Sequence, residues 1–143
     1  MPSHPLASCE PYHRAIRRVL DERLAAGRAS MLVAQHSMTD MLKGEVREMQ
    51  AAILYNRDRR LAHQVLKALR RDGALHVTEN QPYFLSDETD YTIPRHGEAR
   101  GLLHVEIEIR QDLISSEPGQ MEWAARVASA LEDAERALSG RAP

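Results

Sequence analysis

Aromatic side chains are scarce in this sequence: one Trp, one Phe and four Tyr among 143 residues. Its core therefore has to come from Leu, Ile, Val, Ala and Met, whose burial gains scale with area rather than ring geometry. Cys9 is the single cysteine, so no internal disulfide can form and a reducing cytoplasm is the expected compartment. No apolar run approaches the roughly 20 residues of a membrane span, and no signal-peptide core follows Met1. A net charge of −2 provides no basic field, which argues against nucleic acid or an anionic membrane as partner. A glycine-rich phosphate loop, a GxSxG elbow and a CxxC pair are also missing. Nucleotide cradling, serine-hydrolase and dithiol chemistry thereby lose their usual signatures.

What is present is patterned. A chain of this length suits one domain, here residues 1–143, able to bury roughly 70% of its unfolded surface. Tyr12, Ile16, Leu20 and Leu24 recur every four residues and predict a helix over 11–26, with Pro11 in its first turn and Gly27 as its stop. SMLVAQHS (30–37) and AAILYN (51–56) read as short buried strands, and ALHVTEN (74–80) as a third. Between the first two, TDMLKGEVREMQ has no clean period and predicts a loop or an irregular short helix. Leu61, Val65 and Leu69 mark a helix ending at Gly73, and Trp123, Val127, Leu131, Ala134 and Leu138 mark another before Gly140. Residues 81–101 predict a long loop, of the kind that is usually functional or disordered.

The most informative stretch is GLLHVEIEIRQDLI (101–114). Val105, Ile107 and Ile109 alternate with His104, Glu106, Glu108 and Arg110, so a strand here is apolar on one face and charged on the other. Helix and strand alternate along the chain, which predicts an α/β fold: a mostly parallel sheet with helices on both faces. Ligands in such folds collect at the carboxyl ends of the strands. The polar residues expected there are His36 and Ser37; Tyr55, Asn56 and Arg57; Glu79 and Asn80; and Glu108 and Arg110.

Each candidate has a plainer alternative. His36 leaves an apolar strand and can offer a neutral imidazole to a metal, although a satisfied structural histidine is the commoner case. Glu106 and Glu108 read equally as a metal ligand with a general base or as the solvated face of an edge strand. Arg110 can anchor a substrate carboxylate or simply pair with Glu108. The set His4, Cys9, Glu10 and His13 has metal-ligand chemistry but no zinc spacing. The arginines around the second helix read as a solvated face, except Arg57, which directly follows a strand.

Several segments, taken in order, resemble one family. PYHRAI (11–16), QHSMT (35–39), LYNRDRRLA (54–62), ENQPY (79–83), YTIPRHGEARGLLHVEIEIRQDLI (91–114) and GQMEWAARVASAL (119–131) resemble the C-terminal part of the N-formylglutamate amidohydrolases. That resemblance implies a fold similar to zinc carboxypeptidases, lacking the family's N-terminal strands, and hydrolysis of the amide of an N-acyl amino acid such as N-formylglutamate. It implies zinc as cofactor with His36 as a ligand, and Glu108 as the glutamate that activates water, with Glu106 in a supporting role. It further places Asn80, Tyr91, Arg95 and His96 in substrate-facing segments; Arg57 and Arg110 join them as substrate-binding candidates from their strand-end positions alone. The expected partner is a small N-acyl amino acid. Because relatives carry a further metal motif before the PYHRAI region, the alternative is a truncated, non-catalytic paralogue or subunit. That form would associate with itself or a partner chain through an exposed sheet edge.

Overall fold

The computed structural model describes residues 6–71 and 73–140; His4 lies outside them. The described elements run α1 (Leu6–Ala25), β1 (Met31–Met38), β2 (Met41–Leu42), β3 (Glu45–Val46), β4 (Ala51–Leu54), α2 (Arg60–Leu69), β5 (Val77–Glu79), β6 (Leu103–Arg110) and α3 (Glu117–Leu138). A π-helical turn, Ile93–Gly97, and a 3₁₀ turn, Glu98–Arg100, precede β6.

The main sheet has the order β1-β6-β4-β5. The pairs β1·β6 and β4·β5 are parallel, and β4·β6 is antiparallel, so the fold is α/β with a mostly parallel sheet. Period-two alternation then sorts the side chains. Val105, Ile107, Ile109, Ala51 and Ile53 face α2 and α3, where they meet Leu61, Val65, Leu69, Trp123, Ala130 and Ala134 in the larger core. Each fully buried Leu, Ile or Val there contributes roughly 1.5–3 kcal/mol. The opposite face carries Ala34, Met38, Ala52 and Leu54, covered by Leu85 and Ile93 from the segment before β6. α1 is tied to that covering layer: His13 and His96 share a hydrogen bond of 3.0 Å, and Arg100 pairs with Asp21 at 2.6 Å.

Three expectations change. The segment 39–50 is a hairpin, with β2 and β3 antiparallel around Lys43 and Gly44. Both turn residues have positive φ, 52° and 83°, as a two-residue hairpin turn of this twist requires. Second, α1 starts at Leu6, so Pro11 lies inside the helix rather than in its first turn. There it removes one backbone donor. Third, and most consequential, the strand ends do not share one rim. Because β4 and β5 run against β6, Ile53 pairs with Ile107 and Leu54 with Glu106. Tyr55, Asn56, Arg57, Glu79 and Asn80 therefore emerge at the end of the sheet opposite to His36, Glu108 and Arg110.

Candidate active site

The charged face of β6 is where the chemistry collects. In the parallel register His36 pairs with Glu108 and Ala34 with Glu106, while from β4 Ala52 pairs with Glu108 and Leu54 with Glu106. All of these side chains project from one face. The two alanines leave room beside the carboxylates, and His36, half exposed on the outermost strand, leans across to Glu106, Nδ1 to Oε1 3.5 Å. One donor atom from each of His36, Glu106 and Glu108 lies within 4.8 Å of the other two. They line a cleft of about 440 Å³ together with Tyr83, Phe84 and Asp90 from the segment before β6. A larger groove of about 600 Å³ runs between α2 and α3, but its charged pair, Arg71 and Asp133, is already matched at 2.8 Å.

Burial sets the electrostatics. Glu106 is 4% exposed, and its pKa is pushed up to about 7, first by loss of solvation and then by the charges of Asp90 and Glu108. Glu108 is also raised by burial, with His36 and Arg47 pulling the other way. Glu106 Oε2 and Glu108 Oε2 are buried and accept no hydrogen bond. Unpartnered buried carboxylate oxygens are costly. The set fits a divalent cation: zinc accepts imidazole nitrogen and carboxylate oxygen, and tetrahedral bonds of about 2.0–2.1 Å put donors roughly 3.3 Å apart. The 3.5 Å between His36 and Glu106 is close to that spacing.

The family model for N-formylglutamate amidohydrolase matches residues 8–115. The chain belongs to the N-formylglutamate amidohydrolase family. A crystal structure of a gene product from Agrobacterium tumefaciens is similar to it, with 37% identity and a TM-score of 0.74. The match covers 91% of this chain and 50% of that one, so the chain spans about half the length of its solved relative. No curated protein matches it. No helix among the described residues is long and apolar enough to cross a membrane.

Against this amidohydrolase family pattern, the sequence-predicted residues fall into two groups. His36 and Glu108 come together as expected, and Glu106, expected to support them, stands beside them as a donor. The others are held elsewhere. Arg57 bonds Asp87 at 2.6 Å and Glu98 at 2.5 Å, at the opposite end of the sheet. Asn80, with φ 48°, accepts from Tyr55 N at 3.0 Å and fixes the exit of β5. Tyr91 packs on the His13 ring with centroids 4.2 Å apart, and Arg95 lies 5.7 Å from the Tyr91 ring. His96 is buried against His13. Arg110 donates to Arg47 O at 2.8 Å and pairs with Asp112 at 2.7 Å, so it braces the rim of the cleft rather than facing Glu108 alone. The residues that sequence reasoning passed over are Asp90, Tyr83 and Arg47. They sit in segments read as loop, where no periodicity signals a direction.

Proposed function

We propose that this chain provides part of the catalytic centre of a metal-dependent amidohydrolase acting on N-acyl amino acids, with N-formylglutamate as the reference substrate. The observation that carries it is the buried Glu106 and the half-buried Glu108, each with a buried, unpartnered oxygen beside His36, in a chain of this family. His36 and Glu106 would hold zinc, with Glu108 free to act as base. When bound, that ion polarises the amide carbonyl and makes water a stronger nucleophile near neutral pH. Glu108, its pKa raised by burial, takes a proton from the attacking water and passes it to the leaving nitrogen. Tyr83 and Phe84 wall the cleft on the loop side. Formate release from N-formylglutamate with added zinc tests this. Turnover in the parent chain that is lost in Glu108→Gln supports it; equal rates in both, or none in either, remove it for this chain.

A second reading rests on the sheet edge. β1 spans eight residues and pairs only with β6 among the described residues, leaving one side open to another strand. A subunit that completes its site by association would show a stable dimer or hetero-complex without zinc in sedimentation at low concentration.

A further inference from the structure

We propose that Arg47 is the specificity-determining residue of this cleft: its guanidinium receives the carboxylate of the substrate in place of the Tyr83 hydroxyl it now contacts. The assignment rests on the amidohydrolase reading for the location of the reacting amide, but its physical basis is separate. Arg47 is 7% exposed and is the one buried arginine among the described residues. Its backbone is pinned on both sides, N donating to Asp40 O at 2.8 Å and O accepting from Arg110 Nη1 at 2.8 Å. That fixes where the side chain starts, at the exit of the β2–β3 hairpin.

The partner of the guanidinium is the anomaly. Arg47 donates to the Tyr83 hydroxyl, and its Cζ stands 5.1 Å from the centroid of the same ring. No carboxylate among the described residues comes within ion-pair distance of it. Arg17, Arg57, Arg60, Arg71, Arg100 and Arg110 each have one at 2.5–2.8 Å. The one buried arginine among the described residues thus rests on a phenol. A buried charge without a counter-ion is expensive, and a phenol on one nitrogen leaves the fork free to take two parallel bonds from a carboxylate.

Location then selects the ligand. Arg47 is held beside β6 by Arg110, two residues past Glu108, which donates to its carbonyl at 2.8 Å, and Tyr83, which touches Arg47, lines the cleft with His36, Glu106 and Glu108. A ligand with a carboxylate on Arg47 would have its remaining groups beside the paired glutamates. Tyr83 and Phe84 are both exposed, so the covering ring can turn outward without opening the core. The class recognised is an N-acyl amino acid carrying a free carboxylate, in preference to its amide.

Binding by calorimetry, with N-formylglutamate and with its uncharged diamide as probes, tests the assignment apart from catalysis. The zinc-loaded parent chain should prefer the diacid by at least about tenfold. Arg47→Met should remove that preference, and Arg47→Lys should restore part of it, since the charge returns without the fork. Tyr83→Phe should bind the diacid as well as or better than the parent, because the competing acceptor is gone. Should Arg47→Met fail to fold, the Arg47→Lys and Tyr83→Phe pair carries the test: unchanged affinity in Arg47→Lys with weakened affinity in Tyr83→Phe overturns the proposal. A parent chain that binds diacid and diamide equally overturns it as well. Discrimination through Arg47 without any formate release keeps the carboxylate site and removes the hydrolase reading instead.

Discussion

Replacing Glu106 by Gln in the metal-free chain should flatten the pH dependence of its stability. Glu106 has an ordinary pKa of 4.5 and is pushed up to about 7 in the fold. The folded state therefore holds this proton more tightly than the unfolded chain. Stability from the group is fully present below pH 4.5 and is lost as pH rises through 7. Between those two values the difference corresponds to ~3 kcal/mol. A neutral Gln has no such proton, so the parent chain should lose ~3 kcal/mol relative to Glu106→Gln between pH 4.5 and about 8. Urea unfolding at several pH values with a chelator present measures this. The single tryptophan, Trp123, reports it well, because it is buried on the other side of the sheet and does not sense the substitution directly. Parallel stability curves for the two chains would refute the reasoning, since a carboxylate left in water keeps its ordinary pKa in both states.

Zinc should stabilise the chain more at pH 8 than at pH 5, because Glu106 must lose its proton to ligate; thermal melts with and without zinc check the sign. His96 responds oppositely to pH. Burial first, and then the charges of His13, Arg100 and Arg17, lower its pKa against the opposing pull of Asp90. Stability held by its neutral ring is present above pH 6.5 and lost below it, so His96→Gln should show a shallower decline between pH 7 and 5 in the same unfolding experiment. Gly97→Ala should cost about 1–3 kcal/mol, because the new Cβ would stand 2.8 Å from His104 Cγ, and chemical denaturation reads the loss. Ser116→Ala should cost about 1 kcal/mol, as its Oγ accepts from Gly119 N at the start of α3; the same titration suffices.

Much of the scaffold was legible. Leu61, Val65 and Leu69 repeat at helical spacing and are buried in α2 as that spacing implies, and the 103–110 alternation is the sheet's two-faced central strand. The β2–β3 hairpin was not legible, because two-residue strands are too short to display a period of two. Its signal lay in the Lys43–Gly44 turn. The burial of Glu106 was hidden for a different reason. Alternation says that a carboxylate points away from the apolar core, but not whether the far side is water or a second layer. Here Leu85 and Ile93 close over that face, converting an apparently solvated row into a cleft.

Strand direction was the deeper gap, and it decides which polar residues can cooperate. Side-chain period is identical for both directions of a strand, so the sequence of β6 is silent about its orientation. The connection sets it. β4 and β5 are joined through α2 in the manner of a parallel crossover, whereas the segment between Glu79 and Leu103 is long enough to deliver β6 either way. It delivers β6 against β4, which parts Arg57 and Asn80 from His36 and brings Leu54 to lie beside Glu106. The site therefore depends on the β1–β6 pair and on the segment laid over it. Arg57, removed from the cleft, instead locks that segment in place by bonding Asp87 and Glu98 within it. Arg57 thus braces the layer that covers the site.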